Sequence, residues 1–163
     1  MDAADFKTYI FLLLFFKCIC NAYDKEFKTA LAKSSGDVEY ASFPENHRFQ
    51  VPEGCYWDQV REKSMNAGHA LQTAKRCIEQ TNPDALFDIF GDAQWTNKDR
   101  LSDQLLKDLI EHFSSLDLSN AACKGNILGQ AYEYFIKKFA DLTNKKRESF
   151  TPLVQLLNCL FAL

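Results

Sequence analysis

The stretch Tyr9-Ile10-Phe11-Leu12-Leu13-Leu14-Phe15-Phe16, YIFLLLFF, lies near the start of the chain and runs into Lys17-Cys18-Ile19-Cys20-Asn21-Ala22-Tyr23. Two readings compete for it. A short apolar run followed by small residues is how a secretory signal looks. The same run is also what the interior of a folded domain looks like. A signal peptide opens with a positive segment and carries an uninterrupted apolar core. Here Asp2 and Asp5 stand against Lys7, and Lys17 cuts the run. Cys20 and Ala22 could imitate a cleavage site, so a secreted helical protein cut near Ala22 remains the third reading of the chain. A membrane span needs about 20 apolar residues, and this run is too short.

Read as a helix, the segment places Ala3, Phe6, Ile10, Leu13, Leu14 and Phe16 on nearly every face. A helix that is apolar all round is buried among others. Neither Gly nor Pro occurs before Gly36, so the helix is expected to run towards Lys33.

The 163 residues suffice for one domain with a real core. An apolar fraction of 47% and a charged fraction of 25% are those of a globular protein. The net charge of -3 argues against a strongly basic nucleic-acid surface over the whole chain, though not against a local basic patch. The six cysteines invite a disulfide reading, but Cys18, Cys20, Cys55, Cys77, Cys123 and Cys159 are spread over a chain large enough to need no staples. Reduced, partly buried thiols are expected.

Beyond the first helix, residues 34–54 are interrupted by Gly36, Pro44, Pro52 and Gly54. They read as an irregular connection with one short strand. A short helix is expected over 57–64. A second covers 67–80, with Ala70, Leu71, Ala74, Cys77 and Ile78 inward, and ends at Asn82-Pro83. One or two helical turns follow over 83–90, stopped by Gly91. The clearest amphipathic helix spans 98–113, with the stripe Leu101, Leu105, Leu106, Leu109, Ile110 and Phe113. Thr96 and Asp99 resemble a capping box before it. Another helix covers 125–142, with Ile127, Leu128, Ala131, Phe135 and Phe139 inward. A last one begins at Thr151-Pro152 and keeps a broad apolar face to Leu163. The class is therefore mainly α, as a helical bundle.

Catalytic signatures are scarce. No Gly-rich phosphate loop is present. His47, His69 and His112 lie far apart in sequence, with none of the spacings of a metal site, so no metal is expected. No nucleophile elbow supports a Ser/His/Asp arrangement.

The C-terminal part carries a more specific pattern. The segment GNILGQAYEYFIKKFADLTNKKRESFTPLVQLLNCL resembles the stretch preceding the catalytic core of type I restriction-modification DNA methyltransferase (M) subunits. Gly129, Ala131, Tyr132, Glu133, Tyr134, Lys138, Phe139, Ala140, Thr151 and Pro152 match that stretch in order and spacing. MDAADFKTYIFLLLFFKCICNAYDKEF is similar to the family's first helix, with Lys17 inside the pattern. Trp57 and LSDQLLKDLIEHFSSLDLS also fit, so the resemblance covers nearly the whole chain.

The resemblance implies a helical N-terminal assembly domain over 1–147. It also implies that 148–163 begin an α/β S-adenosylmethionine-dependent domain, otherwise absent here. In the family that domain methylates adenine at N6. Two M subunits assemble with one specificity (S) subunit, which reads the target, and a restriction (R) subunit completes the complex on double-stranded DNA. Such a protein is cytoplasmic, with no membrane partner. The helical domain helps close the complex around DNA, which suits an enzyme that must flip its base.

By the same resemblance, Glu148, Ser149, Phe150, Thr151, Pro152 and Leu153 correspond to a segment of the cofactor pocket. Ser149 stands where the family has an aromatic, and Leu153 where it has arginine. Thr151 and Pro152 serve equally well as an ordinary helix cap and first turn. Lys145, Lys146 and Arg147 are candidate phosphate contacts or simply a wet loop. The Gly-rich cofactor loop and the Asn-Pro-Pro-aromatic motif that holds the flipped adenine do not occur before Leu163. The chain is therefore expected to be a truncated subunit without catalytic residues, inactive alone. The alternative is a stand-alone helical interaction protein that binds M or S subunits.

Overall fold

The computed structural model describes residues 3–115, apart from residues 64, 88, 89 and 92. The helices expected at 125–142 and from Thr151 lie outside the described residues. Among the described residues the chain is helical and contains no strand.

Helix α1 spans Ala3–Lys33, 31 residues and about 45 Å at the usual rise. As its composition requires, it is buried on several faces at once. Leu13, Phe16 and Ile19 are fully buried, and Phe11, Leu12, Phe15, Cys18 and Cys20 nearly so. It ends where expected. Gly36 N–H returns to Leu31 O at 2.8 Å, and Ser35 N–H lies 3.4 Å from Ala32 O. This closes the orphan carbonyls of the last turn. Unusually, the left-handed position is held by Ser35, at φ 58°, rather than by glycine.

The 34–54 connection contains the short helix α2, Val38–Ala41, and a single 3-10 turn, Pro44–Asn46. Asp37 caps α2 by accepting from Tyr40 N–H at 3.0 Å. The short strand expected here is not present. Its place is taken by a side chain: Gln50 N–H donates to Asn82 Oδ1 and Asn82 Nδ2 donates to Gln50 O, both at 2.8 Å. One carboxamide thus satisfies the backbone groups a neighbouring strand would have taken.

Helix α3 (Trp57–Glu62), α4 (Ala67–Thr81), α5 (Pro83–Leu86) and α6 (Asp103–Ser114) complete the described fold. Helix α6 begins later than the apolar stripe suggests. Ser102 accepts from Leu105 N–H at 3.2 Å, so it caps the helix in place of the expected Thr96. Leu101 is buried but precedes the helix. Helix α5 stops at Leu86 rather than continuing to Gly91.

Helix α1 packs against α2, α3 and α6, while α4 packs against α3, α5 and α6. Trp57 joins several of these layers. Its ring lies 5.6 Å from that of Phe16 on α1, and its indole N–H donates to Ser114 Oγ of α6 at 2.8 Å. On the surface, Arg61 of α3 makes a two-pronged bond to Glu111 of α6. A cut beside Ala22 would fall inside the continuous helix α1 and remove Leu13, Phe16 and Ile19 from the core. No helix among the described residues is long and apolar enough to cross a membrane.

Candidate functional site

Helix α4 carries Gln72, Lys75, Arg76 and Glu79 at i, i+3, i+4 and i+7, so they share one face. Phe90, Gly91 and residues 93–97 lie over that face and line a cavity of about 340 Å³.

Three contacts set this loop in place. Phe90 N–H donates to Glu79 Oε1 at 2.9 Å. Gln94 N–H donates to the Tyr9 hydroxyl at 3.1 Å. The rings of Tyr9 and Trp95 meet edge to face, 4.9 Å apart. Gly68 on α4 makes the approach possible, because a Cβ there would run into the Trp95 carbonyl oxygen. The glycine therefore has a packing reason to stand inside a helix despite its intrinsic penalty there.

Lys75 is the unusual member. Only 2% of it is exposed. Its Nζ lies 3.1 Å from the centroid of the Trp95 ring and 5.2 Å from that of Phe90. It has no hydrogen-bond partner. Burial pulls its ammonium well below the usual lysine range, opposed by the nearby Glu79 carboxylate. The two aromatic faces offer a cation–π attraction, which only partly replaces lost hydration.

Lys75 was legible in principle. Leu71, Lys75 and Ile78 follow i, i+4, i+7 along the apolar stripe of α4. A lysine on such a stripe is a signal that reading only the apolar positions passes over. Lys17 breaks the α1 pattern in the same way and lies 5.0 Å from the Trp57 ring centroid.

A second polar cluster is structural. His47 is buried and stacked on Tyr23, ring centroids 4.0 Å apart. Its Nε2 lies 2.7 Å from Ala41 O. A carbonyl can only accept, so Nε2 carries the proton. Its Nδ1 is 3.7 Å from Glu26 Oε2, beyond hydrogen-bond reach, and Glu26 also meets Arg48 Nε at 3.1 Å.

Cys18, Cys20, Cys55 and Cys77 are free thiols. Burial pushes the Cys20 thiol up to about 12. Burial and the neighbouring Cys77 push the Cys55 thiol up to about 11. Both stay protonated at neutral pH and are poor nucleophiles. No cluster suited to a metal ion occurs among the described residues. The candidate cofactor residues Glu148, Ser149, Phe150, Thr151, Pro152 and Leu153 lie outside the described residues. So do the candidate DNA contacts Lys145, Lys146 and Arg147.

Comparison with known proteins bears on residues throughout this fold. The chain is 26% identical over 176 residues to the type I restriction enzyme MjaIX methylase subunit of Methanocaldococcus jannaschii. The alignment covers 93% of this chain and 30% of that protein, so the chain spans about a third of the relative's length. The family model of the HsdM N-terminal domain matches residues 1–113, which takes in the buried core of α1 and nearly all of α6. The chain belongs to the HsdM N-terminal domain family.

Proposed function

We propose that these residues act as the helical N-terminal domain of the modification subunit of a type I restriction-modification system. The complete enzyme would transfer a methyl group from S-adenosylmethionine to adenine N6 in double-stranded DNA. This domain would serve subunit assembly and enclosure of the duplex, together with the specificity subunit, a second modification subunit and the restriction subunit. Such a complex would work in the cytoplasm. The observation that carries this reading is the family match over residues 1–113, which coincides with one continuous buried core.

The reading assigns no methyl transfer to the 163 residues alone, because they contain neither the Gly-rich cofactor loop nor the Asn-Pro-Pro-aromatic motif. Glu148 to Leu153 would then contribute one edge of a cofactor pocket completed elsewhere, and Lys145, Lys146 and Arg147 would meet phosphates. Incubation with labelled S-adenosylmethionine and adenine-containing DNA tests this directly. No label should be transferred by the chain alone, and transfer would overturn the assignment.

A second reading, a stand-alone interaction protein that binds M or S subunits, draws on one observation. Val38, Tyr40 and Phe43 are exposed together on and just after α2, with the two rings 5.9 Å apart. Under this reading, excess chain lowers methylation by a complete type I enzyme. Undiminished methylation would remove it.

A further inference from the structure

We propose that Cys55 and Cys77 form a reversible modification site, a dithiol that small-molecule disulfides of the glutathione class convert to an intramolecular bridge. The inference stands apart from the role in assembly, since it rests on the thiols and the backbone around them.

Two separate contacts bring these residues together. Gln50 and Asn82 are joined by the pair of 2.8 Å hydrogen bonds from one carboxamide. That seam sets the connection before α3 alongside the C-terminal part of α4. Cys55 and Cys77 stand five residues away from it, on from Gln50 and back from Asn82. Their thiols are close enough to share a hydrogen bond. The backbone before Cys55 folds tightly to reach this place. Cys55 N–H donates to Pro52 O at 3.0 Å, and Gly54 turns at φ 87°. Two neighbouring thiols on separate elements are what a bridge requires.

Access sets the order of reaction. Cys77 is half-buried, whereas Cys55 is only 5% exposed. Burial and Cys77 push the Cys55 thiol up to about 11, with the Lys63 ammonium pulling the other way. Cys77 therefore meets the reagent first and Cys55 resolves. The Cys77 thiolate attacks one sulfur of oxidised glutathione, whose S–S bond breaks and releases one glutathione thiolate. The Cys55 thiolate then attacks the Cys77 sulfur and expels the second glutathione. The two protein thiols lose two electrons, and their two protons end on the two glutathione thiols formed. Cys20 stays out of the exchange. Its Sγ faces Cys55 O at 4.0 Å and meets the Trp57 N–H, and burial pushes its thiol up to about 12. A bridge of this kind in a reducing compartment is transient, and excess thiol reverses it by the same two exchanges. It would fasten the entry of α3 to α4, beside the Trp57 that joins α1 and α6.

The test equilibrates the full chain with mixtures of reduced and oxidised glutathione, alkylates the remaining thiols and maps the peptides by mass. A Cys55–Cys77 bridge, two hydrogen atoms lighter than the dithiol and reversed by dithiothreitol, should form. It should exceed the glutathione adduct of Cys77 at least ~10-fold, because the resolving thiol is held in place. The bridge should raise Tm by about 5 °C, by constraining the unfolded chain. Cys55→Ser should stop at the Cys77 adduct, and Cys77→Ser should give neither bridge nor adduct at Cys55. Either variant serves should the other fold poorly. Cys55 and Cys77 both recovered as thiols from oxidised glutathione, a bridge to Cys20, or a Cys77 adduct that Cys55 leaves unresolved would each overturn the proposal. So would a glutathione adduct on Cys55 of a folded Cys77→Ser variant, or a bridged chain of lower Tm.

Discussion

Helices α1 and α4 both bury a lysine against a tryptophan, yet the two regions are built differently. In α1, Lys17 is 8% exposed and stands in a helix whose other side chains are apolar on almost every face. Its place is set by the surrounding core, which Leu13, Phe16 and Ile19 fill completely. In α4, the buried stripe is narrower and its other face is polar. Lys75 sits at the edge where the stripe meets a cavity, closer to its indole than Lys17 is to Trp57. In the first region the lysine stands among fully buried apolar side chains. The second buries a donor that makes no hydrogen bond, in a helix whose other face lines a cavity.

Substitutions can break or sharpen this contrast. The largest effect is expected in α1. Leu13→Asp places a carboxylate where no surface is exposed. It should cost more than about 4 kcal/mol and abolish cooperative unfolding followed by circular dichroism. A folded, cooperative variant would contradict the burial of α1.

In the second region, Gly68→Ala forces a Cβ onto the Trp95 carbonyl oxygen. It should destabilise by about 1–3 kcal/mol in denaturant titrations, and displace the loop so that Trp95 fluorescence changes. Unchanged stability would show that the loop does not rest on α4 as described.

Lys75→Met should act in the opposite direction, stabilising the chain by about 1–3 kcal/mol at neutral pH by removing a buried polar group without partners. Its pH dependence carries a sign. The folded-state pKa of Lys75 is depressed, so the unfolded chain binds this proton over a window in which the folded chain has released it. Stability contributed by this site therefore rises with pH, up to the ordinary lysine value of about 10.4. The advantage of the methionine variant should shrink as pH rises towards that value. An advantage independent of pH would mean that Lys75 is charged equally in both states.

The smallest effect is expected at the end of α1. Ser35→Gly relieves a side chain at φ 58° and should stabilise by about 0.5–1 kcal/mol. A loss of stability would assign the Ser35 side chain a role beyond closing the helix.

What could be read from the sequence follows the same division. The bounds of α1 and α4 follow from apolar spacing and from Gly36 and Asn82-Pro83, because local signals suffice where a helix is long and its ends are marked. The start of α6 is ambiguous in the sequence because Thr96 with Asp99 and Ser102 are both plausible caps, and only the backbone decides for Ser102. The strand expected in 34–54 failed for a different reason. Its pairing partner is the Asn82 side chain, 32 residues away. The cavity is likewise unmarked in the sequence, since the loop that lines it is held by Gln94 N–H on the Tyr9 hydroxyl, 85 positions away. No local pattern announces a contact of that range. A lysine inside an apolar stripe is the nearest thing to a warning.

The proposed assembly role is tested most directly by sedimentation of the chain mixed with its cognate specificity subunit, with Leu13→Asp as the misfolded control. The account predicts a faster-sedimenting complex with the folded chain and none with the control. Separate boundaries for the folded chain and the specificity subunit, at concentrations where the complete modification subunit assembles, would contradict it.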